Sequence, residues 1–575
     1  MDKLEVVHIL DMCGTLLALR GENPFRCNAY HNGARAVEQL PDDIETLVAE
    51  GKLSGVRGLG ETLVEKVSTL VTTGRLDFYE DLKAKTPAGL VEMLRIPGMG
   101  PKKIKAVFDE LGIDTIVALK EGCSDGRVAK LKGFGEKTAA KILSGIEYVS
   151  QVGQRHRLDE AMVIAGILLD WVREQPQVIR SELCGSIRRR RETIQDIDIL
   201  VSAKNARPIM DGFVALRGVR EVLARGETKS SILVEPGIQA DLRVVSDEQF
   251  PFALHYFTGS KQHNIRMRSR AIDFGLKLNE YELAGEKKSV RCKDEADIFA
   301  ALELDYIPPE LREDTGEIEA AAAHQLPKLV TLEDLQGTFH CHTTWSDGAA
   351  TVEEMALAAK QRKLKYLGIS DHSRTAAYAG GLSVDRLREQ HAEIDALNRR
   401  LKGIKLFKGI ESDILTDGSL DYPDSVLESF DFVVASLHSG MNMNREQMTK
   451  RVIRAVTHPC CTMLGHATAR LLLRRDGVAL DLDAVIEACA RSGTMIEINS
   501  HPNRLELEWP YCKRAKARGV RLVINPDAHT TTGLDDLRFG VDVARRGWLE
   551  AADVLNTRSF SEVAPLLRKS GRGSK

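Results

Sequence analysis

The sequence predicts a multidomain chain with a helical N-terminal region, a central α/β domain with an attached lobe, and a C-terminal barrel-like βα domain. Three observations carry that expectation. Gly-x-Gly turns ahead of amphipathic helices recur three times within residues 1–150. Past residue 151, short runs of Val, Ile and Leu enclose acidic residues. Beyond residue 336, apolar runs that end in a histidine or carboxylate alternate with helical patterns. A chain of 575 residues also exceeds what one hydrophobic core sustains.

The three N-terminal segments are GVRGLGETLVEKV, IPGMGPKKIKAVF and KGFGEKTAAKIL. Each places glycines, at Gly58 and Gly60, Gly98 and Gly100, and Gly133 and Gly135, before a helix that carries lysines. Such a turn lets backbone amides at a helix start meet a phosphate oxygen. Repetition separates these turns from ordinary helical hairpins.

In the central region, a helix is expected around 158–172, followed by 178–184. Residues 196–201 and 232–245 are expected as strands. Asp196 and Asp198 are two apart, so a strand turns both carboxylates to one face, and Asp241 lies in another strand-like run. Three carboxylates on adjacent strands form a hard oxygen site for Mg²⁺ or Mn²⁺. Gly185-Ser186 and the arginines Arg188–Arg191 precede the pair and suit phosphate oxygens.

The C-terminal region holds His340, His342, Asp347, His372, Glu411, His438, His466, Asp527 and His529, most of them after short apolar runs. Ligands at strand ends belong to one rim of a barrel. Mixed imidazole and carboxylate donors suit two or three Mn²⁺, Zn²⁺ or Fe²⁺ ions that activate water against a phosphate ester. Arg374 and Arg470 flank this set and are candidates for holding the substrate phosphate.

Hydrophobic residues make up 43% and charged residues 28%, and 80 Lys and Arg balance 83 Asp and Glu to a net charge of -3. Any basic groove must therefore be local. MDKLEVVHILDMCG carries acids inside its apolar run, unlike a secretory leader, and no apolar stretch has the length of a membrane span. The 10 scattered cysteines, without CxxC spacing, fit a reducing, cytoplasmic setting.

The GS, basic and DxD pattern with its later Asp resembles the nucleotidyltransferase superfamily and, more narrowly, the family X DNA polymerases. The segment HYFTGSKQHNIRMRSR extends the likeness. The resemblance implies that Asp196 and Asp198 hold both metals, that Asp241 orients the primer 3′-hydroxyl, and that Gly185, Ser186 and Arg189 meet the nucleotide phosphates. It implies that Tyr256, Phe257 and Gly259 contact the nucleotide sugar, Asn264 the base edge, and Arg268 the template side. Lys261 departs from the family's acidic residue. Lys66 matches the lysine that forms a Schiff base in some members, with a plain phosphate contact as the alternative.

The histidine-rich set resembles the polymerase and histidinol phosphatase (PHP) domain, a distorted βα barrel, and covers its nine-ligand pattern. The implied organisation is a small DNA-end-binding, lyase-like domain at 1–85 and fingers with helix-hairpin-helix motifs at 86–150. A nucleotidyltransferase palm at 151–245, a thumb at 246–315, a linker at 316–335 and a PHP domain at 336–575 complete it. The implied partners are primed or gapped DNA and deoxynucleoside triphosphates, with no membrane and a monomeric chain. The implied activities are DNA synthesis and 3′-5′ degradation, with abasic-site cleavage in some members. A repair nuclease whose polymerase half mainly positions DNA is the alternative.

Overall fold

The computed structural model describes residues 3–38, 40, 44–56, 58–94, 96, 98–152, 155–286 and 289–567. It divides into two units, Met1–Gly153 and Gln154–Lys575.

The first unit is helical. The helix Glu61–Thr73 begins at Gly60, buries Leu63, Val67 and Leu70 on one stripe, and ends at Gly74 in the left-handed region (φ 70°), whose N–H donates to the Leu70 carbonyl. The helix Pro101–Leu111 follows the same logic, with proline in its first turn and Gly112 (φ 64°) past its end. Gly58, Gly98, Gly133 and Gly135 all have positive φ. A Cβ at Gly60, Gly98, Gly100, Gly133 or Gly135 would meet nothing within 4 Å, so these turns present open backbone.

The second unit starts with a five-stranded sheet. Its spatial order is Val178–Leu183, Asp196–Ala203, Ile238–Val245, Lys229–Val234, Val219–Arg225. Asp196–Ala203 runs parallel to Ile238–Val245 and the other pairings are antiparallel. Alternation sends Ile197, Ile199 and Val201 into a core shared with the helices Leu158–Arg173 and Arg207–Val214. It turns Asp196 and Asp198 to the face on which Leu200 packs against Phe250 and Ala253. The run 232–245, expected as one strand, is two: Glu235, Pro236 and Gly237 (φ 116°) turn the chain between them. Proline lacks the amide a central strand needs, and glycine takes the positive φ.

The next lobe comprises the helices Phe250–Thr258, Lys261–Asp273 and Glu295–Ala301 with a small three-stranded sheet. The segment expected as a linker, 316–335, is part of this lobe over its first half. It forms the helix Glu317–Ala322, and Ile318, Ala321 and Leu329 join the core around Phe299 and Met267. Arg312, inside the expected boundary IPPELRED, is fully buried.

Seven parallel strands follow in sequence order: Gly337–Cys341, Tyr366–Ile369, Lys405–Asp413, Phe432–Ser436, Met463–Leu464, Met495–Asn499 and Leu522–Asn525. The first and last approach through a bridge between Cys341 and Ala528, with His342 N donating to the Ala528 carbonyl at 2.8 Å, so the sheet nearly closes into a barrel. Phe339, Tyr366, Phe407 and Phe432 pack together with the C-terminal helix Phe560–Leu566. Gly368 makes this packing fit, because a Cβ there would lie 2.5 Å from Phe339 and 2.7 Å from Phe432. Among the described residues no helix is long and apolar enough to cross a membrane.

Candidate functional site

The central sheet brings the three acids together. Asp198 pairs in parallel register with Asp241, and Asp196 lies two residues earlier on the same face. Burial, then repulsion from Asp196 and Asp241, pushes the Asp198 carboxyl up to about 7. Burial and Asp241 also raise Asp196. Asp241 goes the other way. Burial opposes its charge, but bonds from Lys229 Nζ (2.7 Å), Gln239 Nε2 (2.9 Å) and the Ser231 hydroxyl hold it ionised. Three carboxylates that repel one another, with one forced toward its neutral form, are a site short of positive charge. Two divalent ions would fit it.

Gly185 (φ 60°) stands against this cluster, since a Cβ there would collide with Asp198 Oδ2. The short helix Gly185–Arg188 thus starts beside the carboxylates, with the half-buried Ser186 in its first turn. The arginine run after it is mostly turned inward, contrary to an open phosphate-binding set. Arg188 bonds Glu295 Oε2 (2.6 Å) and Thr258. Arg189 is 8% exposed and donates to Glu313 Oε1 (3.1 Å) and the Thr258 carbonyl. Arg190 lies 3.7 Å from Asp542, and Arg191 is exposed. Buried carboxylates from later in the chain recruit these guanidinia, and the sequence around 188–191 gives no sign of them.

The YFTGS segment closes the same site. Arg189 Nη1 would be 3.1 Å from a Cβ on Gly259. Tyr256 and Phe257 pack edge to face at 5.1 Å, and the Arg243 guanidinium lies 4.4 Å over Phe257. Ser260 caps the helix Lys261–Asp273, on which Asn264 Nδ2 donates to the Tyr256 carbonyl at 2.7 Å. Arg268 and Lys261 are exposed, whereas Arg266 pairs with Glu319 and Arg270 Nε donates to the Leu302 carbonyl at 2.7 Å. In the first unit, Lys66 Nζ lies 4.3 Å over the Phe78 ring.

The barrel gathers all nine C-terminal candidates. His342, Asp347, His372 and His529 offer ligand atoms within 4.8 Å of one another; so do His340, His466 and Asp527, and His372, Glu411 and His438. Three of them, His340 (φ 55°), His466 (φ 21°) and Asp527 (φ 52°), hold a backbone conformation that side chains disfavour. Such strain is a mark of sites whose geometry the surrounding fold imposes. His372 Nδ1 and Glu411 Oε2 stand 2.9 Å apart, yet neither makes a hydrogen bond. His340 Nε2 and both His342 ring nitrogens are likewise buried without a hydrogen-bond partner. Buried donors aimed at common points without satisfying one another fit bound metal ions.

A second layer fixes these ligands. His340 Nδ1 donates to Glu497 Oε2 and His438 Nδ1 to Asp413 Oδ1, each at 2.6 Å, leaving each Nε2 for metal. Glu497 also accepts from His466 N, Asn499 and Asn525 at 2.9 Å. Asp371 accepts from Thr343 N (2.8 Å), Ser346 and Gln390, so it shapes the loop that bears Asp347. Glu497 and Asp413 escaped the sequence reading because nothing in a strand-borne carboxylate says which imidazole it will meet.

The two flanking arginines differ. Arg470 is committed to the Arg504 carbonyl (2.8 Å), Glu508 (2.6 Å) and the Leu505 carbonyl, which leaves it no phosphate. Arg504 stands nearer the ligands, 3.5 Å from Asp527 Oδ2. Arg374 keeps a half-exposed guanidinium beside Asp421.

Comparison with known proteins agrees with this geometry. A helix-hairpin-helix domain model matches residues 1–76, a SAM-like helix-hairpin-helix tandem 90–147, a DNA polymerase beta thumb 253–313, and a PHP domain 338–501. A "Probable phosphatase" of Caldicellulosiruptor saccharolyticus is 31% identical over 34% of the chain and 80% of its own length, and one of Thermoanaerobacter sp. (strain X514) is 27% identical over 38% and 89%. The DNA polymerase/3′-5′ exonuclease PolX of Bacillus subtilis (strain 168) is 36% identical over 99% of this chain and all of its own. With that identity extending over the full length of both chains, the chain belongs to the bacterial PolX family.

Proposed function

We propose that this chain extends DNA 3′ ends with deoxynucleotides at Asp196, Asp198 and Asp241, and shortens 3′ ends by hydrolysis at the barrel rim, in gap-filling repair. The observation that carries the first activity is the parallel register of Asp198 with Asp241, which sets three carboxylates on one sheet face. Mg²⁺ or Mn²⁺ bound there would neutralise charge on the nucleotide phosphates and ease deprotonation of the attacking hydroxyl. The chain's own groups orient the reactants. Gly185 and Ser186 offer backbone and hydroxyl to the triphosphate, Tyr256 and Phe257 border the sugar, and Asn264 and Arg268 stand toward base and template. Glycine turns and their lysines grip the DNA backbone, with Lys66 as a phosphate contact.

At the barrel, two or three Mn²⁺, Zn²⁺ or Fe²⁺ ions held by the nine ligands would supply activated water. Asp413 and Glu497 hold the imidazoles in the tautomer that presents Nε2. The protein acts as a cytoplasmic monomer on DNA.

A nuclease-led role is favoured by one observation. The Arg189 guanidinium is spent on Glu313 and Thr258, so the phosphate pocket is not preformed. A time course on a 5′-labelled primer in a short-gapped duplex separates the readings. Two sites require extension lost in Asp198→Ala alone and shortening lost in His340→Ala alone. Absence of extension by the intact protein in both Mg²⁺ and Mn²⁺ leaves the nuclease.

A further inference from the structure

Beside the barrel's ligands stands an aromatic ring that nothing above employs. Tyr378 sits in the turn Ala377–Ala379 and is 74% exposed; among the large hydrophobic side chains of the described residues only Phe25 is more so. Its ring centroid lies 6.2 Å from that of His372 and 6.5 Å from that of His438. An aromatic face open to solvent has no packing role. Here it borders two ligand imidazoles.

The loop that carries it is held in place. Thr375 Oγ1 donates to Asp413 Oδ2 at 2.8 Å, and Asp413 in turn accepts from His438. Arg386 Nη1 donates to the Gly380 carbonyl at 2.9 Å, which pins the loop's other end. The ring is therefore positioned relative to His438 before any substrate arrives.

Resting on the exonuclease reading above, we infer that Tyr378 is a positioning residue that stacks on the nucleobase of the 3′-terminal nucleotide. Stacking accepts any base, because every base has a π face. The ring would make the barrel a reader of nucleic-acid ends and set it apart from a site for small phosphate esters.

The test uses the full chain, with Tyr378→Ala and Tyr378→Phe, on two 5′-labelled single strands that differ only at the 3′ terminus: a normal nucleotide or a base-less tetrahydrofuran residue. The expected result is a KM about tenfold lower for the base-bearing end in the intact protein and in Tyr378→Phe. In Tyr378→Ala the two ends should be equal, with kcat changed little. A metal-free readout accompanies it. A 3′-terminal 2-aminopurine should lose emission on binding the intact protein in EDTA and keep it with Tyr378→Ala. A base preference that persists in Tyr378→Ala, or an equal loss on both ends, overturns the inference alone. If the intact protein shortens neither strand, the exonuclease reading falls and takes the inference with it.

Discussion

Arg546, on the barrel helix Leu537–Arg546, donates through Nη1 to the backbone carbonyl of Arg189 at 2.6 Å. It is 1% exposed, lies 3.3 Å from Glu313 and stacks 5.2 Å over Trp509. Glu313 in turn holds Arg189 Nε. The Glu192 carboxylate, which burial alone would raise, is kept below its usual range first by Arg546 and then by Arg470. A barrel residue thus fixes the turn that follows Gly185 and Ser186.

Arg546→Ala should therefore weaken synthesis from a distance. Removing one member of a buried charge network leaves the others uncompensated, at a cost of about 3–5 kcal/mol. We expect a lower unfolding midpoint and a raised KM for deoxynucleotides, with shortening of single strands retained. Nucleotide titrations of primer extension, run beside an exonuclease assay on the same preparation, check both.

Asp198 makes synthesis depend on a competition between protons and metal. With its carboxyl pushed up to about 7, the metal-free site is protonated below that pH, and an ion must displace the proton. The Mg²⁺ concentration for half-maximal extension should rise about tenfold per pH unit below 7. The sign for stability follows. A raised carboxyl favours the fold while it is protonated, so the metal-free protein loses stability as pH climbs toward and through 7. Melting curves at pH 6 and pH 8, with EDTA or Mg²⁺, should show the metal's stabilisation larger at pH 8.

Glu497→Gln tests the second layer of the barrel. The carboxylate takes the His340 Nδ1 proton and three further N–H donors. A glutamine oxygen can accept two of the four bonds, but its NH2 faces the other two donors and it carries no charge to raise the basicity of the imidazole. Loss of such a partner lowers metal affinity about 10–100-fold. Metal content after equilibrium dialysis reads this directly, and extension by the Asp198 site should be unchanged.

Glu295 joins the lobe to the sheet side through Arg188 (2.6 Å), pairs with Arg312 (2.7 Å) within the lobe, and is 4% exposed. Burial resists its charge, but the two guanidinia, Arg312 foremost, hold it well below the usual carboxylate range. A depressed carboxyl contributes stability that is complete above its unfolded value, roughly 4.3, and fades as pH falls through the folded one. Glu295→Gln should cost about 3–5 kcal/mol at pH 7. Urea unfolding at pH 7 and at pH 4 should show the gap between variant and parent narrowing in acid.

Both candidate sites were legible in the sequence because their residues cluster in short motifs at strand ends, where alternation and chain direction dictate where a side chain points. Asp196 and Asp198 needed only a period of two, and the barrel ligands only their place at the ends of apolar runs. What escaped was long-range. The partners of Arg188 and Arg189 lie more than a hundred residues later, at Glu295 and Glu313, so a run of basic residues read as phosphate-binding is largely interior. Residues 232–245 were apolar enough to pass for one strand, and only the missing Pro236 amide breaks them. The stretch 318–326 reads as a helix or a linker, and its Ala run gives no hint that Glu317 is buried against His263 at 2.9 Å.

The seam at Arg189, Glu313 and Arg546 also bears on descent. Charges held across it belong to segments 124 to 357 residues apart, and each is partnered only while the others are present. A gene that lost its last third would expose Glu313 and strip the Arg189 carbonyl of its donor. The two halves can therefore drift in sequence only in step, because a change on the barrel side of the seam reaches the turn beside the carboxylates.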